Sequence, residues 1–188
     1  MYPIFIISGP AGSGKTSVAK ALFQKFPQLR SSVTYTTRAP RTQSVEEKPL
    51  MHVTVDDFKK RLASGEFLET AMVHGNYYGT HKEETLQLMH TNPLLFIIDV
   101  QGAEQILKKF PAKDVTIFLL PENVEQMFSR IKTRGNTDEE DIKRRLKTAE
   151  MELTKKDLYQ YQIINHEGKL DETIAKVAAI VEKNLKDL

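Results

Sequence analysis

Short apolar runs alternate along this chain with longer segments in which apolar residues recur every three or four positions. The short runs are rich in branched and aromatic residues, which is typical of buried strands, whereas the longer spacing is typical of amphipathic helices. The predicted strands are Ile4–Ile7, Ser32–Tyr35, Phe67–Val73, Leu94–Asp99, Val115–Leu119 and Tyr161–Ile164. The predicted helices are Thr16–Phe26, Val55–Ser64, Lys82–His90, Gly102–Lys109, Val124–Thr133, Glu139–Asp157 and Leu170–Asp187, the sixth with Asp138 as its N-cap.

This alternation favours an α/β fold in which helices cover both faces of a parallel sheet. Two regions interrupt it: residues 36–80 are dense in polar residues, and residues 126–156 are dense in charge at helical spacing. In open α/β sheets, ligands bind beyond the carboxyl ends of the strands. We therefore expect both regions to be insertions over that edge of a single folding unit.

Composition narrows the range of functions. The 27 Lys and Arg residues nearly balance the 25 Asp and Glu residues, and the formal charge of +2 is dispersed, so no basic block predicts a nucleic-acid partner. Cysteine is absent, which excludes disulfides, thiolate nucleophiles and cysteine-based zinc sites, and the five histidines share no metal-ligand spacing. No apolar run approaches the roughly 20 residues of a membrane span, so we expect a cytoplasmic protein without membrane contact.

A glycine-rich segment, Gly9–Thr16, lies between the first predicted strand and the first predicted helix. Its glycines tolerate backbone angles that let successive N–H groups converge on phosphate oxygens, and the helix start adds its positive dipole end. Lys15 is expected to reach the outer phosphates, and the Thr16 hydroxyl to coordinate Mg²⁺. The segment predicts a nucleoside triphosphate site formed by Gly9, Ala11, Gly12, Ser13, Gly14, Lys15, Thr16 and Ser17.

Further segments follow in a characteristic order and spacing: Thr34–Arg41 (TYTTRAPR), Gly65–Glu69 (GEFLE), His74–Thr80 (HGNYYGT), Asp99–Ala103 (DVQGA), Arg130–Gly135 (RIKTRG), Arg144–Leu146 (RRL) and Ile163–Asn165 (IIN). Together with the glycine loop they resemble the guanylate kinase family over nearly the whole chain. The resemblance implies an enzyme with a P-loop three-layer α/β fold and a parallel central sheet, which phosphorylates GMP or dGMP with Mg-ATP. It also implies a core (1–31, 82–125 and 158–188), an acceptor-binding subdomain (32–81) and a lid (126–157).

The resemblance assigns the acceptor phosphate to Arg38 and Arg41, whose guanidinium groups can fork onto a monophosphate, and to the Tyr78 hydroxyl. It assigns the base to Glu69. A carboxylate there can accept hydrogen bonds from N1–H and the exocyclic amine of guanine, whereas adenine presents a lone pair at N1.

Four other positions complete the expected acceptor site: Thr34, Gly79, Thr80 and Asp99. Thr34 and Thr80 carry hydroxyls for the remaining base edge, and Asp99 would contact the acceptor or hydrated Mg²⁺. Structural alternatives exist for two of them. Thr80 is equally suited to capping the Lys82 helix, and Asp99 to a strand end where backbone N–H groups satisfy its carboxylate.

Three lid arginines, Arg130, Arg134 and Arg145, are implied to join Lys15 in neutralising the transferred phosphoryl group. The alternative is a solvated helix face, which we prefer for the neighbouring Lys132, Lys143 and Arg144. Asn165 matches a position near the adenine of ATP, although an asparagine in a turn is often structural.

The sequence departs from the family pattern at two positions. Leu50 replaces a tyrosine that follows the arginine clamp, which predicts weak GMP binding, and Ile97 replaces the first acid of an Asp-Ile-Asp-x-Gln-Gly strand. These changes keep two alternatives open: a kinase for another phosphorylated acceptor, and a protein-binding module like the guanylate-kinase-like domains of scaffolds. The intact Lys15 and Glu69 favour the kinase for GMP, acting as a monomer or a homodimer.

Overall fold

The computed structural model describes residues 2–40, 50–111, 114–132 and 139–186. Within them, five strands form a central sheet in which every neighbouring pair is parallel. In chain order these strands are β1 (Ile4–Ser8), β2 (Arg30–Ser31), β7 (Leu94–Ile97), β8 (Asp114–Pro121) and β9 (Tyr161–Asn165), and across the sheet they run β2-β7-β1-β8-β9.

A second, mixed sheet contains β3 (Thr34–Thr36), β4 (Leu50–His52), β5 (Phe67–Val73) and β6 (Asn76–His81), in the order β4-β3-β6-β5. β3 pairs with β4 in parallel, whereas β6 is antiparallel to both of its neighbours. The helices are α1 (Lys15–Lys25), α2 (Val55–Ala63), α3 (Lys82–Thr91), α4 (Val100–Lys109), α5 (Val124–Lys132), α6 (Glu139–Leu153) and α7 (Leu170–Lys186), with a 3₁₀ turn at Lys156–Leu158.

Residues of β1 alternate between two apolar clusters, one on each face of the central sheet. Phe5 and Ile7 pack in a cluster with residues of α1 and α7, and Ile4 and Ile6 pack in a cluster with residues of α3 and α4. Successive side chains of a strand point to opposite faces, so a continuously apolar strand needs cover on both. The predicted α/β fold with a doubly covered parallel sheet is confirmed.

The prediction of one strand over Ser32–Tyr35 is wrong. Ser32 N–H still donates to the Leu95 carbonyl of the central sheet at 3.2 Å, but the Val33 carbonyl already accepts from His81 N–H of the second sheet at 2.9 Å. The chain therefore crosses between two sheets inside the apolar run, which a local pattern does not reveal.

Two more differences have local causes. The helix predicted to reach Asp157 ends at Leu153, where the Thr154 hydroxyl donates to the Met151 carbonyl at 2.7 Å and a 3₁₀ turn follows. Strands β4 and β6 carry no apolar run and were not predicted, because their pairing with β3 and β5 defines them. Asp138, the predicted N-cap, lies outside the described residues.

Candidate active site

The glycine loop connects β1 to α1 at the carboxyl edge of the central sheet. Gly14, immediately before α1, has φ of 99°, and a Cβ atom there would lie 2.5 Å from Nδ2 of Asn165. Both the backbone angle and the lack of space require glycine at this position. The helix therefore begins within the loop, and the N–H groups of the first turn of an α-helix, which have no acceptor within the helix, can bind an anion.

Lys15 lies at the first position of α1 and folds back over the loop. Its ammonium donates to the carbonyl of Pro10 at 3.0 Å and to that of Gly9. Thr16 and Ser17 follow in the first helical turn with exposed side chains. All the predicted phosphate-loop residues are thus contiguous at one edge, and Lys15 is held above the loop, where a phosphate chain would offer it stronger acceptors.

Asn165, the last residue of β9, supports the loop from behind. Its buried amide donates from Nδ2 to the Ser13 carbonyl at 2.9 Å, and its Oδ1 accepts from the Thr173 hydroxyl at 3.1 Å. A side chain with two such partners is oriented firmly, so the loop is tied to α7 through Asn165. The predicted contact between Asn165 and adenine stays a prediction.

Arg130 of α5 lies against the same loop. Its Nη1 donates to the Gly12 carbonyl at 3.0 Å, and a Cβ on Gly12 would lie 3.1 Å from the Arg130 Cβ. Helices α5 and α6, which make up most of the predicted lid, are also linked by a small apolar cluster in which Met127 of α5 packs with Ala149 of α6 and Ala11 of the loop. The contact brings one predicted lid arginine to the phosphate loop.

Arg145 and Arg134 are the two other predicted lid arginines. Arg145 is half-buried on α6, and Arg134 lies outside the described residues. Lys143 and Arg144, for which we preferred a solvated role, are exposed.

A group of ionisable side chains lies beside Lys15. Burial raises the pKa of Asp99, while a hydrogen bond from Gly102 N–H and the charge of Lys15 lower it. Burial also raises the pKa of Glu152, on α6, to about 7, with Lys15 opposing the rise and Asp99 adding to it. Glu152 was missed at the sequence level, because nothing in its local pattern separates it from the solvated acids of the same helix.

Asp99 caps α4. Its Oδ1 accepts from Gly102 N–H at 2.8 Å, so one carboxylate oxygen takes the structural role that we left open. The predicted contact with the acceptor or hydrated Mg²⁺ would fall to the remaining carboxylate lone pairs and stays a prediction.

One row of side chains crosses all four strands of the second sheet. Leu50 pairs with Thr34, Thr34 with Thr80, and Thr80 with Glu69. Residues directly opposite each other on neighbouring strands share a face, so these four side chains lie together on one side of the sheet.

Glu69 and Thr34 are the buried polar groups of this row that are predicted to contact the base. Glu69 is only 3% exposed, and its Oε1 accepts from the Thr80 hydroxyl at 2.6 Å. The Thr34 hydroxyl is buried and has no hydrogen-bond partner among the residues that the structure describes. Such an orphaned buried hydroxyl requires an explanation, and a bound base is one. Thr80 does not cap α3, because His81 does so by accepting from Glu84 N–H.

The predicted phosphate end of the acceptor site lies two residues along the same face. Tyr78 of β6 is half-buried opposite Thr36. Arg38 follows β3, where its N–H donates to the Thr36 hydroxyl at 3.1 Å and its carbonyl lies 2.6 Å from His52 Nδ1. Arg41 lies outside the described residues.

Gly79 has a packing reason to lack a side chain. A Cβ there would lie 2.8 Å from Phe67 and 3.1 Å from Phe58, on the aromatic face of the sheet opposite Glu69. Only its backbone is available to an acceptor, and the predicted contact is untested.

A phosphate loop on a parallel sheet, with a second sheet that presents a buried carboxylate, defines a P-loop nucleotide kinase. The sequence matches the guanylate kinase family model over residues 2–184. It is 40% identical over 179 residues to the guanylate kinase of Caldanaerobacter subterraneus subsp. tengcongensis, covering 95% of this chain and 85% of that protein. It is 39% identical over 178 residues to that of Thiobacillus denitrificans, covering 94% and 84%.

A solved structure of guanylate kinase from Anaplasma phagocytophilum superposes with a TM-score of 0.76 at 27% identity, covering 97% of this chain and 85% of that one. The chain belongs to the guanylate kinase family. The family, the fold class, the enzyme class and the ATP-dependent phosphorylation of GMP, all predicted from the sequence, are confirmed at this level. Among the described residues, no helix is long and apolar enough to cross a membrane, and no cluster of three or more His, Cys, Asp or Glu side chains could hold a metal ion.

Proposed function

We propose that this protein transfers the terminal phosphoryl group of Mg-ATP to GMP or dGMP, using the residues described above. The observation that carries the proposal is the buried carboxylate of Glu69, oriented by Thr80 beside the Thr34 hydroxyl. A buried carboxylate is stabilised by hydrogen-bond donors, and the Watson–Crick edge of guanine supplies two of them side by side.

On the donor side, the N–H groups of Gly9–Ser17 bind the phosphates of ATP. Lys15 exchanges its loop carbonyls for phosphate oxygens, and Arg130 approaches the same oxygens from α5. Phosphoryl transfer needs positioning and positive charge on the equatorial oxygens and no covalent nucleophile. The side chains near the loop supply both of these requirements. Arg134 and Arg145 complete the charge from the lid at residues 126–157.

The donors near the loop fit Mg²⁺, which favours hard oxygen ligands and is bound in kinases mostly through substrate phosphates and water. The exposed Thr16 hydroxyl, in the first turn of α1, would hold it, with Asp99 nearby to orient a water ligand. When bound, the ion neutralises charge that develops on the transferred group.

On the acceptor side, Glu69 and Thr34 bind guanine, and Arg38, Arg41 and Tyr78 bind the monophosphate. The acceptor-binding subdomain comprises residues 32–81, and the rest of the chain outside the lid forms the core. A cytoplasmic location and either a monomeric or a homodimeric state are part of this proposal.

The test is an ADP-release assay with Mg-ATP against GMP, dGMP, AMP, UMP, CMP and no acceptor, extended into the millimolar range. We expect turnover with GMP and dGMP alone. The proposal would be overturned if no acceptor gave ADP release although ATP still bound, or if another acceptor gave turnover.

Lys15→Ala is the matched loss-of-function variant, because a phosphate contact is removed while the loop glycines still build the backbone. Turnover should fall by about two to three orders of magnitude, as for loss of one electrostatic contact to a transition state. Lys20→Ala, at an exposed position of the same helix, is the control.

A further inference from the structure

Strand β5, which carries Glu69, is irregular immediately before that residue. In the pairing of β5 with β6, Phe67 lies opposite His81 and Glu69 lies opposite Thr80, so Leu68 is an extra residue and forms a β-bulge. Side chains alternate along a strand, and one inserted residue moves all those that follow to the other face. The bulge is therefore what turns Glu69 away from the aromatic face that Phe67 occupies and toward Thr80.

A bulge on an edge strand is not held by a neighbour on its outer side. β5 is an edge of the second sheet, and within the described residues its only strand partner is β6. Its outward main-chain groups would be left to water, and the strand would be free to slip its register.

Helix α4 lies on the open side of β5, where a further strand of the sheet would otherwise pair. Oε1 of Gln105 accepts from Thr70 N–H at 3.2 Å, and Nε2 of Gln105 donates to the Thr70 carbonyl at 2.8 Å. One turn further along, the Lys109 ammonium donates to the Leu68 carbonyl. The main chain is thus held on both sides of Glu69 by two side chains of one helix.

The same helix also lies directly beneath the carboxylate. A Cβ on Gly102 would lie 2.5 Å from Oε2 of Glu69, so the carboxylate rests against bare helix backbone. Gly102, Gln105 and Lys109 are spaced three and four residues apart, which places them on one face of α4. The distance from β5 to this face determines where the two oxygens of Glu69 lie.

We propose that Gln105 is a positioning residue for guanine recognition. Its amide pairs with the edge of β5 as a neighbouring strand would, holds the bulge in register, and so sets the orientation of the Glu69 carboxylate. The inference rests on the proposed function, because it takes guanine as the base that Glu69 contacts. It predicts that removal of the Gln105 amide lowers the discrimination between bases even where the variant remains folded.

Inosine monophosphate (IMP) allows base discrimination to be measured separately from protein stability. It shares N1–H with GMP but lacks the exocyclic amine, so the ratio of GMP to IMP affinity reports the second hydrogen bond to Glu69. Equilibrium dissociation constants for both nucleotides, measured by calorimetry without ATP, do not depend on turnover. The variant is Gln105→Ala, and the control is Gln87→Ala, at an exposed position of α3.

We expect Gln105→Ala to lower the GMP-over-IMP affinity ratio by about tenfold, the size of effect given by one misaligned hydrogen bond to a charged group, with ATP affinity unchanged. Gln87→Ala should leave the ratio as in the wild type. An unchanged ratio in Gln105→Ala, or an equal loss of affinity for both nucleotides, would overturn the inference, as would a wild type that does not prefer GMP.

A second variant tests the same inference if Gln105→Ala folds poorly. Gln105→Glu keeps the acceptor for Thr70 N–H but cannot donate to the Thr70 carbonyl, so its ratio should also fall, and a wild-type ratio would overturn the inference. Failure of the proposed function looks different: GMP would bind with the expected ratios in wild type and variants, while Mg-ATP and GMP gave no ADP.

Discussion

The Thr80 hydroxyl donates to Oε1 of Glu69 at 2.6 Å across neighbouring strands of the second sheet. The hydrogen bond orients a carboxylate that is almost completely removed from water. An ionised carboxylate is an acceptor with two oxygens, which matches the two N–H donors on the Watson–Crick edge of guanine.

Glu69→Gln should raise the KM for GMP by about one to two orders of magnitude, because a hydrogen bond to a charged group is worth roughly 1.5–3 kcal/mol and the new amide turns a donor toward the guanine. The KM for ATP should not change. Steady-state kinetics with each substrate varied in turn measures both, and Glu83→Gln, at an exposed position of α3, is the control. A KM for GMP within twofold of the wild type would exclude Glu69 from base recognition.

Thr34→Val should separate stability from binding. Valine is close in shape, and the buried Thr34 hydroxyl has no partner among the described residues, so the change should not lower the melting temperature. The KM for GMP should rise by about three- to tenfold, the worth of one neutral hydrogen bond.

Thr85→Val is the control for this pair of measurements. Thr85 is also buried, and its hydroxyl likewise has no partner among the described residues, but it lies on α3. If both variants left the KM for GMP unchanged, the Thr34 hydroxyl would have no part in the acceptor site.

Leu50→Tyr should lower the KM for GMP by about tenfold, because it restores a phenolic hydroxyl that can donate to a phosphate. Leu50 is half-buried at the start of β4, in the row that contains Thr34 and Glu69. Met51→Tyr is the control, since its side chain is exposed and points to the other face. No improvement in Leu50→Tyr would show that the leucine is not the cause of any weak acceptor binding.

Glu152→Gln should change the pH dependence of stability. The pKa of Glu152 is raised from its ordinary 4.5 to about 7 in the folded protein, so its contribution to stability is fully present below pH 4.5 and is lost as the pH rises through 7. The wild type should therefore become less stable than the variant over this range. The difference at pH 8 should reach up to about 3 kcal/mol, since one pKa unit corresponds to about 1.4 kcal/mol.

Urea unfolding at pH 4, 6 and 8 measures this difference. Glu150→Gln, at an exposed position two residues earlier on α6, is the control and should follow the wild type. A constant difference between Glu152→Gln and the wild type at all three values would contradict the raised pKa.

Much of the fold was predictable because its signals are local. The apolar run of β1 and the glycine loop after it identified the phosphate site, and the pattern at Phe67–Val73 matched β5 at both ends. Strands β4 and β6 were not predictable, because residues such as Leu50–His52 are strands only through pairing with β3.

Short-range signals in the sequence specify which chemical groups the protein carries and where the phosphate loop begins, because glycine angles, helix starts and apolar runs act over a few residues. The surroundings of those groups follow instead from tertiary packing. The bulge at Leu68, the row that joins Thr34 to Glu69, and the amide of Gln105 on the edge of β5 all depend on strand pairing and packing between residues far apart in the chain. Side chains along a strand alternate between the two faces of a sheet, so a single inserted residue moves those that follow it to the other face. The local sequence pattern does not show the register in which two strands pair.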